Sequence, residues 1–362
     1  MDVSVLDYKL PEERIARFPA QKRDDSKLLV FDRKSQKITH AIFRDLPDLL
    51  PENYDFFRNN AAVLKARIFA KKSTGANVEC LLLTPSNDGD NIWNCMLRPA
   101  KRLKSGAHFG VANTFDAEVL RHLENGNCLV KFALAPRFKN PVDMAEEVGV
   151  VPLPPYIGRD QHAPDYDRTF DNTRYETVYA DSAKRVAAAA PTAGLHFTPE
   201  LIQNLETRGN RFHNLTLHVG IGTFQPLKSD IIERHTMHSE LYEIPIPALR
   251  ALAEHKRPRL AVGTTSLRAM EDFFRKLGDA QIDTTKPVVE SASLFVYPPQ
   301  KVISADAIIT NFHLPRSSLM CLVSAFLTPN DTAGIALLKD LYKQAIAREY
   351  NFYSYGDAML IL

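Results

Sequence analysis

Hydrophobic and polar residues alternate along the chain in two distinct ways. Between about residues 59 and 140, short runs in which every second residue is apolar are separated by polar, glycine-containing turns. Short strands with turns at such regular spacing are typical of a small antiparallel barrel or sandwich. The predicted strands cover residues 66–70, 78–84, 92–97, 114–120 and 128–134.

Before and after this stretch, strand-like segments alternate with helix-like ones. At Gly263, for example, a tight turn joins an apolar run to an amphipathic helical segment. Strands that alternate with helices indicate an α/β layer arrangement. We therefore predict an α/β main domain of residues 1–58 and 141–362 with an inserted antiparallel β-barrel domain of residues 59–140. Further predicted helices cover residues 11–17, 45–50, 141–148, 198–208, 318–327 and 332–348.

The composition excludes several classes of protein. A hydrophobic content of 45% and nearly balanced charge, 45 Lys and Arg against 43 Asp and Glu, are not those of a disordered chain. No apolar run reaches the ~18 residues of a membrane span, and the mixed, acidic N-terminus is not a signal peptide. We therefore expect a cytoplasmic protein with no membrane partner. The four cysteines lack zinc or iron–sulfur spacing, so we expect buried free thiols.

Positive charge is concentrated in the predicted barrel. Residues 58–139 contain 13 basic and 6 acidic residues, a net charge of +7, whereas the whole chain carries +2. Such asymmetry points to a polyanionic partner, although a solvated basic face without a partner is the alternative. The residues that we predict to contact RNA phosphates are Lys71, Lys72, Arg98, Lys101, Arg102 and Lys104.

Four polar or glycine-containing segments of the α/β part carry the candidate chemistry. The first, APTAGLHF, places Thr192 and Gly194 just before a predicted helix, where exposed N–H groups can hold an anion. His196 could serve there as a base or a hydrogen-bond donor. A capped helix entrance with a satisfied histidine is the alternative interpretation.

In the second segment, LTLHVGIGTFQP, a hydrophobic strand ends at His218 and runs into Gly220 and Gly222. Glycines directly after a strand let a ligand approach the backbone closely. The third glycine of a dinucleotide-binding fingerprint is missing, so we do not expect a standard Rossmann site.

The third segment, ERHTMHSELYEI, contains His235, His238 and Glu240. The two histidines lie three residues apart in a loop and lack an established ligand pattern. Hydrogen bonding to a polar substrate therefore explains them better than a metal site, and we expect no metal.

The fourth feature is a pair of predicted strand ends, AVGTTSLR and ITNFHLPRSSL. Thr264 and Thr265 lie where a strand gives way to a helix, with Arg268 in the helix, and Asn311 and His313 end the next strand. Because ligands of open α/β sheets gather at the carboxyl ends of strands, we expect the two ends to face one cleft. Helix capping is the alternative for each segment alone.

Together, and in this order, the four segments and the C-terminal YNFYSYGDAMLI resemble the S-adenosylmethionine:tRNA ribosyltransferase-isomerase family of queuosine biosynthesis. Further matches are FPAQKRDDSKLLVFDR, STGANVECLLL, RPAKRLKSG, PLPPYI and RYETVYA. The likeness therefore covers nearly the whole chain, and its strings are long and specific.

The resemblance implies a monomer with an inserted β-barrel, and it implies the reaction. The ribosyl part of S-adenosylmethionine is transferred to 7-aminomethyl-7-deazaguanine at the wobble position of tRNA with a GUN-type anticodon. Rearrangement gives epoxyqueuosine, and adenine and methionine are released. S-adenosylmethionine is consumed as a substrate, so no cofactor is expected.

The family resemblance implies roles for the candidate residues. The expected acid, base or positioning residues are His196, His218, His238, Glu240 and His313. The expected substrate-binding residues are Thr192, Gly194, Gly220, Gly222, Thr264, Thr265, Arg268 and Asn311. Among these, Thr264, Thr265 and Arg268 are expected to hold the methionine end of S-adenosylmethionine.

The chain departs from the family pattern in two places. After Asn59-Asn60 the family has Thr-Arg-Val-Ile-Pro-Ala-Arg, whereas residues 61–67 here read Ala-Ala-Val-Leu-Lys-Ala-Arg. Before the first segment the family has Pro-Gly-Ser-Val-Ala-Ala, whereas this chain has the longer SAKRVAAAA. The alternative hypothesis is therefore a catalytically impaired tRNA-binding relative. A methyltransferase that uses S-adenosylmethionine is a third hypothesis, and the missing glycine-rich first turn argues against it.

Overall fold

The structure is a computed structural model, and it describes residues 1–124, 126–161, 163, 166–220, 227, 229–237 and 239–362. The β-strands, in chain order, are β1 (Lys27–Asp32), β2 (Lys37–Ile42), β3 (Asp55–Asn59), β4 (Ala61–Val63), β5 (Arg67–Lys72), β6 (Asn77–Pro85), β7 (Ile92–Arg98), β8 (His108–Val111), β9 (Phe115–His122), β10 (Cys128–Leu134), β11 (Asp181–Ala187), β12 (Arg211–Leu217), β13 (Glu240–Ile244), β14 (Arg259–Val262), β15 (Val288–Ala292), β16 (Ala307–Asn311) and β17 (Ala358–Ile361).

The α-helices begin close to where capping residues predict them. Asn140, Thr198 and Ser317 each accept a hydrogen bond from a backbone N–H in the first turn of the helix that follows. The predicted helix over 11–17 is only a 3-10 turn, Glu12–Arg14. The helices are α1 (Leu46–Leu49), α2 (Pro141–Val148), α3 (Arg168–Arg174), α4 (Pro199–Thr207), α5 (Ile246–Glu254), α6 (Gly263–Leu277), α7 (Ser318–Leu327) and α8 (Gly334–Ala347).

A mixed sheet forms the centre of the α/β part. In the described residues it has nine strands in the order β15-β13-β12-β3-β14-β16-β17-β1-β2. The central strands β12, β3, β14 and β16 are mutually parallel, whereas β16 and β17 are antiparallel. Their carboxyl ends therefore share one edge of the sheet, which is the usual position of a ligand site.

Helices cover both faces of this sheet. Leu29 and Phe31 of β1 pack into the core that contains α5, α6, α7 and α8. The alternate residues, Leu28 and Val30, pack into a second core with α1 and α4. Burial on both faces explains why these strands have continuous apolar sequences.

Six of the described strands close into a barrel in the order β10-β7-β6-β5-β8-β9. The neighbouring strands in this barrel are antiparallel. This confirms the predicted fold class, an α/β main domain with an inserted antiparallel barrel. Strand β8 was not predicted, and the domain boundaries after residues 58 and 140 remain a prediction.

The cysteines are buried and free, as expected from their spacing. Cys80, Cys95 and Cys128 belong to the barrel core, and Cys321 packs in the core around α7. Within the described ranges, no helix combines the length and apolar character needed to cross a membrane.

Candidate active site

Three of the four polar segments identified in the sequence meet at the edge where the parallel strands end. A cleft there encloses about 620 Å³ of space, part of it open to solvent. The residues that line it include Tyr156, Thr192, Val219, Gly263, Thr264, Thr265, Asn311, His313, Ser317, Tyr353 and Ser354.

Helix α6 begins at this cleft. Gly263 has a φ of +88°, and a Cβ added there would lie 3.3 Å from the Thr265 Oγ1, so glycine permits the sharp entry. Among the described residues, no side chain caps the helix at Val262. The Thr265 Oγ1 is buried, and it has no hydrogen-bond partner among the described residues. Free N–H groups, the helix dipole and this hydroxyl make the helix start suitable for an anion such as a carboxylate.

Asn311 is the centre of a buried hydrogen-bond network beside the helix start. Its Nδ2 donates to the Tyr353 carbonyl at 3.2 Å and lies 3.3 Å from the His196 Nε2. Its Oδ1 accepts from the Thr192 Oγ1 at 3.2 Å. Because the amide nitrogen donates, the His196 Nε2 accepts, and Nδ1 carries the proton toward the Ser26 Oγ at 2.7 Å. The network therefore selects one neutral tautomer of His196.

His313 is also held by hydrogen bonds at both of its ring nitrogens. Its Nε2 lies 3.3 Å from the Thr310 Oγ1, and its Nδ1 lies 3.3 Å from the Tyr342 hydroxyl. Burial lowers the pKa of His313 to about 3. Burial, together with the charge of Arg23, lowers the pKa of His196 to about 3. Both rings are therefore neutral at physiological pH.

We expect the stability of the protein to fall as the solution is acidified below about pH 6.5, the ordinary pKa of histidine. Between about pH 6.5 and 3, His196 and His313 are protonated in the unfolded chain but neutral in the folded one. Each therefore contributes a slope of up to about 1.4 kcal/mol per pH unit to the free energy of unfolding, with higher stability at higher pH.

Urea unfolding between pH 7 and pH 4 measures this slope. Below pH 6, the slope of His313→Gln should be smaller by up to about 1.4 kcal/mol per pH unit, which is the contribution of one proton. The matched control is His255→Asn, because His255 is exposed and asparagine tolerates its left-handed backbone, φ +43°. A slope that is the same in His313→Gln and in the parent would contradict the buried, neutral histidine.

A buried ion pair connects helix α6 to strand β13. The Glu240 Oε2 lies 2.6 Å from the Arg268 Nη1, and the Glu240 Oε1 accepts from the Gly220 N–H at 2.9 Å. Arg268 also donates to the Ala292 carbonyl at 2.9 Å. Burial lowers the pKa of Arg268. These contacts tie α6 to the ends of β12, β13 and β15.

The other predicted site residues lie elsewhere or outside the described residues. His218 is half-buried, and the charge of Lys184, together with burial, lowers its pKa. A Cβ at Gly194 would lie 2.0 Å from the Tyr179 hydroxyl, so that glycine makes room for Tyr179. Gly222 and His238 lie outside the described residues, and their roles remain predictions.

The predicted RNA-binding residues lie on the barrel. Lys71 and Lys72 end β5, Arg98 ends β7, and the others belong to or follow the 3-10 turn Ala100–Arg102. Five of the six are exposed, and Lys72 is half-buried and donates to the Arg102 carbonyl at 3.2 Å. The structure thus groups them on the barrel surface, and their role in RNA binding remains a prediction.

Several residues at the site were not selected from the sequence. Ser26 bonds to His196, and Tyr353 and Ser354 line the cleft. Their signal was present, because these residues lie in the strings FPAQKRDDSKLLVFDR and YNFYSYGDAMLI that carry the family resemblance. Their membership of the site could not be predicted from the sequence, because only the folded sheet brings them to the ends of β14 and β16.

Comparison with known proteins identifies the family. The sequence model described as "Queuosine biosynthesis protein" matches residues 3–361. An S-adenosylmethionine:tRNA ribosyltransferase-isomerase of Thermotoga maritima is 41% identical over 367 residues, which cover 100% of both chains. Relatives with the same name from a Sulfurihydrogenibium species and from Trichlorobacter lovleyi are 40% and 37% identical, again over 100% of both chains.

A solved structure supports the same assignment. The crystal structure of the S-adenosylmethionine tRNA ribosyltransferase of Thermotoga maritima has a TM-score of 0.53 and 33% sequence identity. The similarity covers 99% of this chain and 100% of the other. The family that the sequence motifs predict is thereby confirmed, and the chain belongs to the S-adenosylmethionine:tRNA ribosyltransferase-isomerase family of queuosine biosynthesis.

Proposed function

We propose that this chain transfers and isomerises the ribosyl moiety of S-adenosylmethionine onto 7-aminomethyl-7-deazaguanine at the wobble position of tRNA. The products are epoxyqueuosine in tRNA, adenine and methionine. Family membership supports tRNA and S-adenosylmethionine as the substrates. We further propose that the chain acts as a monomer on tRNAs with GUN-type anticodons.

The observation that carries this proposal is the uncapped start of α6 at the cleft. Methionine has a carboxylate. The first-turn N–H groups of α6 and the Thr265 hydroxyl, which has no partner among the described residues, suit an anion. Arg268, which we expected to bind the same carboxylate, is bonded to Glu240. Its contribution is therefore best explained as positioning Glu240, with Gly220 next to it.

The chemistry also requires acids and bases. The sulfonium of S-adenosylmethionine acidifies the neighbouring C5′ protons, so a nearby base can form an ylide. Protonation of a ring nitrogen makes adenine a better leaving group. The candidates for these roles remain His196, His218, His238 and His313.

The basic surface of the barrel is proposed to bind tRNA. Simultaneous replacement of Lys101, Arg102 and Lys104 by Ala should weaken tRNA binding, because each lost phosphate contact reduces counterion release. The slope of log K against log salt should become shallower by roughly one unit per lost contact. Filter binding at several salt concentrations measures it, with Lys131→Ala, an exposed lysine of β10, as the control. An unchanged slope would place the RNA elsewhere.

The departure at Ala62 motivates the alternative of an impaired relative. Arg185 of β11 lies opposite Ala62 of β4, and its guanidinium lies 3.4 Å from both Glu146 and Glu176. Lys65 also pairs with Glu146 at 3.2 Å. The neighbouring strand thus supplies a guanidinium where the family pattern has an arginine. This supports an active enzyme over the impaired relative.

Adenine release tests the proposed function. The protein is incubated with S-adenosylmethionine and tRNA that carries the deazaguanine precursor, and adenine is quantified by chromatography. We expect adenine in amounts equal to the modified tRNA, and none with tRNA that lacks the precursor. Tight tRNA binding without adenine release would favour the impaired relative.

A further inference from the structure

Two arginines line one cavity together with His196. Arg23 belongs to the 3-10 turn Arg23–Asp25, and Arg174 is the last residue of α3. Neither guanidinium has a carboxylate oxygen within 4.0 Å among the described residues. Both side chains are half-buried. Partly buried cations normally have a counter-ion, so these two arginines are candidates for binding an anionic ligand.

The hydrogen bonds that both arginines make to the described residues go to neutral groups. Arg23 donates to the carbonyls of Thr173, at 2.8 Å, and Leu195, at 3.2 Å. Arg174 donates to the carbonyls of Gln21, at 2.9 Å, and Ala20, at 2.6 Å. The Arg174 Nε is buried and has no partner in the described part of the chain. Carbonyls fix the positions of the guanidiniums but carry no net charge that would cancel theirs.

The electrostatic environment of the pair is positive. Burial and the charge of Arg174 lower the pKa of Arg23. Glu176 acts on Arg23 only from a distance, since Glu176 is paired with Arg185 at 3.4 Å. Arg23 in turn lowers the pKa of His196. The positive potential of Arg23 therefore reaches His196.

The two arginines line a cavity that adjoins the main cleft. The cavity has a volume of about 20 Å³ and is continuous with open solvent, and Ser26, His196 and Ser354 contribute to its walls. Ser354 also lines the main cleft, so the two spaces share a wall. An anion between the arginines would lie next to the reacting groups.

An exposed aromatic residue directly precedes the residues that line this cavity. Phe18 is 63% exposed, and it directly precedes Pro19 and Ala20, which line the cavity. The Arg159 guanidinium lies 3.9 Å from the centre of the Phe18 ring. Aromatic rings and arginines next to basic grooves bind unstacked bases of single-stranded RNA.

We propose that Arg23 and Arg174 form the binding site for a phosphodiester of the tRNA anticodon loop next to the modified nucleotide, with Phe18 stacking on a neighbouring base. This inference rests on the proposed function. A phosphodiester fits better than the methionine carboxylate, because the start of α6 already offers a carboxylate site. An unstacked base beside the phosphate would also account for the exposed Phe18.

The test measures the affinity of the full-length protein for unmodified tRNA and, separately, for S-adenosylmethionine. Arg174→Gln should weaken tRNA binding and reduce the salt slope by roughly one unit, and Phe18→Ala should weaken it by about tenfold with little change in slope. The affinity for S-adenosylmethionine should not change in either variant. The matched control is Arg250→Gln, an exposed arginine on α5.

Because Arg174 also holds backbone carbonyls, Arg174→Lys provides a second variant that keeps the charge. It should retain the salt slope of the parent while losing part of the affinity. Weaker binding of S-adenosylmethionine with unchanged tRNA binding would assign the pair to the methionine carboxylate. Unchanged binding of both substrates would make the pair structural and overturn the proposal. Absence of any tRNA binding by the parent would instead contradict the proposed function.

Discussion

Replacing Arg268 by Ala is expected to destabilise the folded protein by about 3–5 kcal/mol, because it removes the cation from a buried carboxylate. Glu240 is 8% exposed, and its two oxygens face Arg268 and the Gly220 N–H. Loss of the guanidinium also removes the bond to the Ala292 carbonyl, which connects α6 to β15. Turnover should fall together with stability, since the same contacts hold the strand ends beside the cleft.

Urea unfolding monitored by circular dichroism measures the loss of stability. The double variant Arg268→Met with Glu240→Leu is the control, because removing both charges together should restore most of the stability but not the turnover. If Arg268→Ala instead kept the parent's stability and only raised the S-adenosylmethionine concentration needed for half-maximal rate, Arg268 would be a substrate ligand, as the sequence alone suggested.

The second large effect is expected among the histidines. When His196, His218, His238 and His313 are replaced one at a time by Gln, at least one variant should lose about 10²-fold or more in turnover, as expected for removal of an acid or base. Its affinity for tRNA should change far less than its turnover, because an acid or base acts on the reacting groups.

Single-turnover kinetics and filter binding on the same protein samples separate the two effects. His255→Asn again serves as the control, because His255 is exposed at the end of α5. Four variants that all turn over within a few-fold of the parent would show that catalysis depends on positioning by groups such as Asn311 and on other acids.

Features encoded by local patterns were predicted well. The apolar run, glycine and amphipathic segment around Gly263 correctly predicted β14 and α6. Strand β8 was missed because its sequence, His-Phe-Gly-Val, is short and contains a glycine, which makes it similar to the turns on either side. Its strand character comes from pairing with β5 and β9.

The site was harder to predict because its groups come from distant parts of the chain. Gly194 was expected to approach a ligand, whereas a Tyr179 hydroxyl occupies the space beside it. Glu240 and Arg268 were given separate roles, but the order of β12, β13 and β15 places them in one ion pair. Sequence spacing shows which residue types are available, and only the sheet order shows which of them meet.

Ribosyl transfer from S-adenosylmethionine to tRNA is the central claim, and a double-label experiment tests it most directly. S-adenosylmethionine that carries one isotope in the ribose and another in the methyl group is incubated with precursor-bearing tRNA. We predict that the ribose label enters the tRNA while the methyl label is recovered in free methionine, with one adenine released per label transferred. Methyl label in the tRNA, or no ribose label there, would contradict this function.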